Sequence, residues 1–403
     1  MSSITSPVML DATGHLIVEG FARQNLLLAQ MITSSSEATP ATVLNEIHEV
    51  VRSGEAANVF SIGDQIMLNY NDGTNDYVLP WDIVHFGNVE LQDGEIVPGM
   101  FIQSHYAMQA VQFDAREAFY VVPTGGMAAG DYTFNVPSAL SHTAAGDYTF
   151  NVPNALPEGA RLVSSTNFYD NGMTNAKINI YLTPTGEAEA TQLTVTSGST
   201  GTSLGNLANG AIGTVNNSAI ANYGYNRWAQ SGLRQFLNTS AAAGAWWTPQ
   251  NNFDMPPSQL ASLPGFMAGF DEAFLNIIKP IRVTTACNTV TDGGITDVTY
   301  DTFFPASLEQ EYIVPQLSGA EGEYWEYWKQ RLGLSSPQAQ GTSGTNAAHI
   351  RYGYNAKTTA QAVRLRSATR GGASNAWYVD TAGYATNGSA YTSLRSAPAC
   401  VIC

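Results

Sequence analysis

Apolar and polar residues alternate over short stretches of the chain, which is the pattern of half-buried β-strands. The clearest alternating stretches are residues 59–68, 77–86 and 176–196. Between the first two, Asn71–Gly73 predicts a tight hairpin turn. Helical spacing is confined to residues 21–32, 42–51, 225–238, 271–278 and 324–331. The pattern therefore predicts an α+β fold with many short strands and loops and a few small helices.

Residues 1–54 are predicted to form an N-terminal assembly segment, with a small hairpin at 8–17 followed by two short helices. The residues from Leu26 to Ile32 are more apolar than one small helix can bury alone. We therefore expect the segment to pack against other copies of the chain, most simply in a homotrimer, or against other proteins of a particle. Packing on its own domain is the alternative.

The stretch from Tyr225 to Asn238 is the one around which the chain is organised. Its apolar stripe consists of Trp228, Leu233, Phe236 and Leu237. Asn226 is a candidate N-cap, and Asn238 is a plausible stop signal. Arg234 lies beside the stripe, where its guanidinium could bind a carboxylate or a carbonyl group. The alternative is that this stretch is an ordinary amphipathic helix with no special role in organising the chain.

A nine-residue unit, AGDYTFNVP, occurs at residues 129–137 and again at 145–153. Two copies are too few for a solenoid, so a local duplication of one strand and its loop is the simpler interpretation. We place this unit in a β-rich insertion at 126–204. The insertion divides a main domain whose parts are residues 55–125 and 205–403.

The charge of the chain limits its partners. A net charge of −16 argues against nucleic-acid binding, which needs clustered Lys and Arg. Residues 351–403 nevertheless carry six basic residues and one acidic residue, a net charge of +5 against −21 for the rest. Either some of these arginines pair with the acidic body, or the segment offers a cationic face to an anionic partner.

Catalytic and metal-binding signatures are not found in the sequence. The six histidines are scattered, and no zinc, nucleophile-elbow or phosphate-loop motif occurs. Cys400 and Cys403 have redox spacing, but an apolar final strand is expected to bury them. The sequence thus predicts no enzyme activity, no cofactor and no metal. Met1–Ser6 lacks the start of a signal peptide, and Leu26–Ile32 is too short to span a membrane.

Four motifs in a fixed order carry a resemblance to a known family. They are W-x-x-S-x-L-R-x-x-L-N at 228–238, D-x-F-F-x-x-S-x-E at 301–309, L-R-S at 365–367 and A-P-A at 397–399. This set resembles a C-type-lectin-like domain of phage and prophage proteins of gut bacteria. The resemblance begins near Ser61, and residues 363–403 resemble the variable end of proteins that a diversity-generating retroelement diversifies.

The resemblance implies a C-type-lectin-like fold, which formylglycine-generating enzymes share, and a place on the surface of a virion that is made in the bacterial cytoplasm. The paired active-site cysteines of those enzymes have no match, since Cys287 stands alone. The E-P-N, Q-P-D and W-N-D calcium motifs of sugar-binding lectins are also missing. Arg364 replaces the family's tryptophan before L-R-S, and Arg395-Ser396 replaces its usual element before A-P-A.

Residues 370–393 are rich in Tyr, Ser, Asn, Gly and Thr, the composition of antibody binding surfaces. Adenine-directed mutagenesis of Asn codons would also yield these residue types. The alternative is a polar loop between two final strands at 377–380 and 399–402. The predicted ligand-binding residues are Ser374, Asn375, Trp377, Tyr378, Tyr384, Thr386, Asn387, Ser389 and Tyr391, with Tyr352, Tyr354 and Asn355 on a neighbouring loop. Arg366 and Ser367 are expected to be scaffold.

These observations predict a virion-associated adhesin that displays a diversified surface and binds a host cell-surface protein or glycan. Its other expected partners are further copies of itself and other virion proteins, without nucleic acid and without membrane insertion. A structural capsid or tail decoration protein is the rival interpretation. An enzyme on the formylglycine-generating-enzyme-like fold is the least favoured one.

Overall fold

The computed structural model of the chain describes residues 9–10, 16–17, 40–137, 144–164, 172–186, 188–207, 215–341 and 347–403. Strands make up 38% of the chain and helices 15%, which confirms the expected abundance of strands and the small N-terminal helix. Within these ranges, no helix has both the length and the apolar character that crossing a membrane requires.

The described helices are short. They are α1 (Pro40–Arg52), α2 (Ala56–Val59), α3 (Ser218–Tyr223), α4 (Gly232–Leu237), α5 (Glu272–Leu275) and α6 (Glu326–Leu332). Short 3-10 helices lie at Trp228–Gln230, Phe266–Gly269 and Ala347–His349.

The strands follow one another along the whole chain. The first are β1 (Met9–Leu10), β2 (Leu16–Ile17), β3 (Gln65–Asn71), β4 (Asp76–Glu90), β5 (Ile96–Ser104), β6 (Ala110–Gln112) and β7 (Tyr120–Val121). Next come β8 (Gly130–Val136), β9 (Gly146–Val152), β10 (Arg161–Ser164), β11 (Lys177–Tyr181), β12 (Ala188–Thr194), β13 (Thr196–Ser197) and β14 (Thr202–Asn206). The last are β15 (Ile281–Ala286), β16 (Thr296–Asp301), β17 (Phe304–Pro305), β18 (Arg351–Gly353), β19 (Ala356–Gln361), β20 (Val363–Ala368), β21 (Asn375–Val379), β22 (Ala385–Ser389), β23 (Ser393–Ser396) and β24 (Pro398–Ile402).

An antiparallel sheet in the order β17-β24-β5-β4-β3 forms the centre of the main core. Its strand β24 is buried throughout and contains Cys400, which is a free thiol, as is the buried Cys403. The expected burial of this apolar end is therefore confirmed. The predicted turn at Asn71–Gly73 joins β3 to β4.

Helix α1 packs against this main core. Its apolar face, including Ile47 and Val51, is buried with the central sheet. The His48 ring nitrogen Nε2 lies 2.8 Å from the carbonyl oxygen of Cys403, so the helix also contacts the end of the chain. Residues 40–52 thus contribute to the main domain. The apolar cluster Leu26–Ile32, on which the trimer prediction depends, lies outside the described residues.

The stretch 225–238 forms two helical turns, Trp228–Gln230 and α4, rather than one helix. Ser231 breaks the stretch and caps α4 by accepting a hydrogen bond from the Arg234 amide at 3.1 Å. The prediction of Asn226 as the cap was wrong, because its side chain points into the fold and binds carbonyl groups elsewhere. The expected contact of Arg234 with a carboxylate is confirmed: its Nε donates to Asp301 at 2.6 Å.

All four sequence motifs meet at residues 301–309. Asp301 accepts hydrogen bonds from Trp228 Nε1 and Arg234 Nε of the first motif. The L-R-S strand donates from Arg366 to Pro305, and the A-P-A strand β24 pairs with β17. Motifs separated by up to 170 residues in the numbering therefore share one buried scaffold.

The insertion has a hydrophobic core of its own, whose residues come from Phe119 to Ala221, a wider span than the sequence indicated. Two four-stranded sheets form it, in the orders β12-β11-β10-β7 and β13-β9-β8-β14. The duplicated units are β8 and β9, and they pair with each other antiparallel. Their contacts repeat across the pair: Asn135 donates to Asp147, and Asn151 donates to Asp131, both at 2.7 Å.

We expect Trp228→Ala to destabilise the fold by roughly 3–5 kcal/mol, the usual cost of emptying a large aromatic site. Trp228 is only 1% exposed, packs against Phe113 and donates to Asp301. The exposed Asn387 provides the control, since Asn387→Ala should change stability by less than about 0.5 kcal/mol. Denaturant titration of both variants measures the difference, and equal midpoint shifts would contradict this assignment of core and surface.

Candidate functional site

The predicted binding segment forms a hairpin at the edge of the second main sheet, whose order is β22-β21-β20-β23-β6. We call β21, β22 and their connecting turn the recognition hairpin. Its register runs from Asn375 opposite Ser389 to Val379 opposite Ala385. At the turn, Asp380 Oδ1 accepts hydrogen bonds from the amides of Ala382 and Tyr384, both at 2.9 Å. The hairpin therefore has a defined backbone and a single register.

Asn226 anchors the start of this hairpin from inside the fold. Its side-chain amide nitrogen lies within hydrogen-bonding distance of the carbonyl oxygens of Thr369 (3.2 Å), Gly372 (2.6 Å) and Asn375 (2.8 Å). Asn288 donates to its oxygen at 3.1 Å, which orients the amide group. One buried side chain thereby determines the path of the loop that enters β21.

Arg364 anchors the other end. Its guanidinium donates to the carbonyl oxygens of Ala376 (2.8 Å), Gly388 (3.3 Å), Ser389 (3.0 Å) and Thr392 (3.2 Å). Burial lowers the pKa of Arg364 to about 10. Its partners are backbone carbonyls together with the ring of Tyr378, whose centroid is 5.6 Å from the guanidinium carbon. This arginine therefore holds the strand β22 and the turn that follows it.

The predicted contact residues differ in exposure. Those at the surface are Tyr352, Asn355 and Asn387. Those half-buried are Asn375, Tyr378, Tyr384, Thr386, Ser389 and Tyr391. On the recognition hairpin, the amide of Asn375 donates to Asn387 across the strand pair at 3.1 Å. By the register of the two strands, Asn375, Asn387 and Ser389 lie on one face of this edge, and Tyr378 and Thr386 lie on the other.

Three of the predicted contact residues are buried instead, and their prediction as surface residues was wrong. Trp377 is 5% exposed because its indole packs into the main core. The Tyr354 ring lies in the same core, and its hydroxyl donates to Asp72 at 2.9 Å. Ser374 is buried where the chain enters β21, and its carbonyl accepts from the Ala390 amide. Aromatic and small polar residues occur both in cores and on surfaces, so composition could not distinguish the buried positions from the exposed ones.

Tyr352 and Asn355 lie apart from the recognition hairpin. They belong to the β18–β19 hairpin, which Arg395 ties to the sheet by donating to Asn355 at 3.0 Å. Arg395 lies on β23, three strands away from β22 in the sheet order. Neighbouring strands are about 4.8 Å apart, so β23 lies about 10 Å or more from both strands of the recognition hairpin. The two hairpins therefore form separate surfaces.

The basic residues of 351–403 do not form a cationic face. The arginines of this segment are all buried or half-buried; they are Arg351, Arg364, Arg366, Arg370 and Arg395. Each donates to backbone carbonyl groups, as Arg370 does to Cys287 at 3.0 Å. Lys357 is the exposed base of this segment, and it lies over the Tyr106 ring. The excess positive charge of the segment is therefore structural.

Sequence reasoning missed a group of buried acids, because the three lie far apart in the chain and match no motif. Asp114, Glu117 and Asp254, here called the acid cluster, each place a carboxylate oxygen within 4.8 Å of the other two. Glu117 accepts from the amides of Asn216 (2.6 Å) and Asn251 (2.9 Å). Oxygen Oδ1 of Asp254 has no hydrogen-bond partner.

Burial is the main cause of the raised pKa values in the acid cluster. Loss of solvation raises the pKa of Glu117 to about 7 and, together with the negative charge of Glu117, that of Asp254 to about 8. The pKa of Asp114 is also raised well above its usual value by burial and by its two neighbours. Three acids that oppose one another's ionisation require a proton or a cation nearby.

Two further sites contain a histidine, namely the contact of His105 with the buried Asp82 and a cleft beside His85. Asp82 is buried and accepts from His105 Nδ1 at 2.9 Å, while Tyr327 donates to the same oxygen at 3.0 Å. Asp82 could orient His105 as a general base, and the adjacent Ser104 would be the nucleophile for it to activate. The Ser104 hydroxyl, however, donates to the Tyr106 carbonyl and not to His105. A separate cleft of about 560 Å³ is lined by aromatic residues and by His85. Burial lowers the pKa of His85.

Comparisons with known proteins connect one part of the chain to a family. Residues 206–403 match the family described as Domain of unknown function (DUF6273). The matched part includes the four motifs and the recognition hairpin, but it is slightly less than half of the chain. No curated protein and no solved structure matches the chain. The C-terminal part is thus similar to a family whose function is unknown.

We expect Asn226→Asp to destabilise the fold by roughly 3 kcal/mol or more, because it buries an unpaired charge. The substitution keeps the shape of the side chain but turns an oxygen toward the carbonyls of Thr369, Gly372 and Asn375. Asn387→Asp, at an exposed position of β22, is the matched control and should cost less than about 0.5 kcal/mol. Urea titration compares the two; equal stability of the Asn226 variant and the wild type would disprove the anchoring role.

Proposed function

We propose that this chain is an adhesin of a phage or prophage particle and that the recognition hairpin contacts a host cell-surface protein or glycan. One observation carries the proposal. Asn226 and Arg364 hold seven backbone carbonyl groups in and beside the hairpin, and neither hydrogen-bonds to its side chains. Surface side chains can therefore vary without loss of the anchor bonds, which is what a diversified surface requires.

We also propose that the main domain has a C-type-lectin-like fold. The order of the four motifs supports a C-type-lectin-like domain, and so does their joint packing around Asp301 and Pro305. The resemblance implies that such a domain displays its diversified ligand-binding face at the C-terminal end of the chain. The edge position of β22 agrees with that arrangement. The part of the chain that resembles retroelement-diversified proteins, residues 363–403, contains the whole recognition hairpin.

The chemistry of the surface favours an uncharged ligand. Tyr378, Tyr384 and Tyr391 offer large aromatic contacts, while Asn387 and Ser389 offer hydrogen-bonding groups. Because the arginines of this segment are bound to carbonyl groups of the fold, they provide no cationic face for an anionic partner. A neutral glycan or an uncharged protein patch fits this surface best. Binding should then depend little on salt concentration.

We expect alanine substitution of Tyr378, Tyr384 or Tyr391 to cost about 2 kcal/mol of binding or more at one position at least, since aromatic residues dominate recognition surfaces. Substitution of Ser389 or Thr386 should cost less than about 1 kcal/mol, as is usual for small polar contacts at a wet rim. The measurement is binding of the fluorescently labelled full chain to a panel of gut bacterial isolates and to a glycan array.

The control for this experiment is Tyr352→Ala, which removes an exposed tyrosine from the separate β18–β19 hairpin. It should bind as the wild type does. If the triple tyrosine variant folds normally and still binds like the wild type, the adhesin proposal fails. Failure of the wild type to bind any cell or glycan would favour the capsid or tail decoration protein.

The genomic neighbourhood tests diversification independently of binding. An adjacent reverse transcriptase gene, together with a near-copy of the end of the coding sequence that differs at adenines, would support it. A locus with neither feature would contradict the diversified surface but would leave adhesion itself to the binding experiment.

A further inference from the structure

We propose that the acid cluster binds one calcium ion. Asp114, Glu117 and Asp254 come from separate parts of the chain, and each is no more than 2% exposed. Calcium binds oxygen ligands at about 2.3–2.6 Å, so ligand atoms on opposite sides of the ion are about 5 Å apart. The mutual distances within 4.8 Å match the dimensions of such a coordination shell. The inference does not depend on the proposed adhesin function.

The carboxylates of the cluster are not paired directly with basic groups. Arg161 interacts with Asp254 through its charge, but from beyond ion-pair distance. In the part of the chain that the structure describes, no Lys, Arg or His lies within ion-pair distance of its three carboxylates. Asp254 is 1% exposed, and its oxygen Oδ1 has no hydrogen-bond partner. An unpaired carboxylate oxygen is costly to bury, and a cation among three such groups removes that cost. Asp254 is therefore the clearest ligand of the site.

The remaining oxygens are oriented by the surrounding fold. Asn216 and Asn251 each donate to one oxygen of Glu117. The backbone amide of Gln250 donates to Asp254 Oδ2 at 2.8 Å, and the amides of Tyr225 and Gly232 approach Asp114 at 3.3 Å. Such second-layer hydrogen bonds orient metal ligands before an ion arrives.

The chemistry of the ligands selects calcium among common ions. The cluster offers carboxylate oxygens and contains neither His nor Cys, which disfavours zinc and copper. Magnesium demands near-ideal octahedral geometry and usually keeps several waters. A site whose three acids are all buried has little room for those waters. Calcium accepts irregular geometry and carboxylates that bind through one or both oxygens, so it fits best.

The position of the cluster suggests what the ion would do. Asp114 follows β6, and its backbone amide donates to Ala390, next to the recognition hairpin, at 3.2 Å. Glu117 lies just before Phe119, where the core of the insertion begins. Arg116, between them, stacks on the ring of Tyr391 at 4.4 Å. A bound ion would therefore link the base of the insertion to the hairpin.

The test uses the full chain, freed of metal with EDTA and then dialysed against calcium-free buffer. Isothermal titration with calcium chloride should show one ion bound per chain. The melting temperature should rise by on the order of 3 °C or more at saturating calcium, because the ion binds only the folded state. Asp254→Asn should weaken binding at least about tenfold, since removing even a second-layer group has that effect.

Asp93→Asn is the matched control, because Asp93 is an exposed turn residue whose oxygen accepts a backbone amide. It should bind calcium like the wild type. If Asp254→Asn does not fold, Glu117→Gln takes its place. The proposal is overturned if calcium produces neither heat nor a melting shift in the wild type. It is also overturned if only magnesium does so, or if Asp254→Asn keeps the calcium response.

Discussion

The buried carboxylate of Asp301 is the interaction on which the rest of the main domain depends. It is fully buried and accepts from Trp228 Nε1, Arg234 Nε and Thr299 Oγ1 at 2.9, 2.6 and 2.6 Å. Removal of one partner of a buried ion pair typically leaves an uncompensated charge that costs several kcal/mol. The two helical turns at 228–237 can therefore take only one position against β16. That position in turn directs Asn226, two residues before Trp228, toward the recognition hairpin.

The far end of the hairpin is held by a buried arginine, but this arginine binds backbone carbonyl groups where Arg234 binds a carboxylate. Arg364 is fully buried, and the loss of its hydration is offset by four carbonyl groups and the ring of Tyr378. A carboxylate partner would come from a side chain and would be lost if that position varied. Backbone carbonyls are present whatever residue occupies the position. Arginine is suited to this role because its planar group donates in several directions at once.

Local patterns predicted much of the fold, since strand alternation, the Asn71–Gly73 turn and the apolar last strand depend on neighbouring residues. Long-range contacts were not accessible in the same way. The inward direction of Asn226 depends on carbonyls more than 140 residues away. The burial of Trp377 depends on the main core, and the acid cluster unites residues that no spacing rule connects. Composition alone therefore singled out residues 370–393 as a candidate binding segment but could not say which of its side chains turn inward.

The proposed calcium site would tie the insertion to the main domain. The core of the insertion is separate from the main one, and short chain segments join the two. Asp114 and Glu117 lie on one joining segment, and Asp254 is held beside them. The mutual repulsion of three charged carboxylates, which Arg161 offsets in part at Asp254, would push these segments apart, whereas a divalent ion would draw them together. Arg116 on that segment stacks on Tyr391, so one side chain connects the neighbourhood of the cluster with the residue that follows β22 and that we propose as a ligand contact.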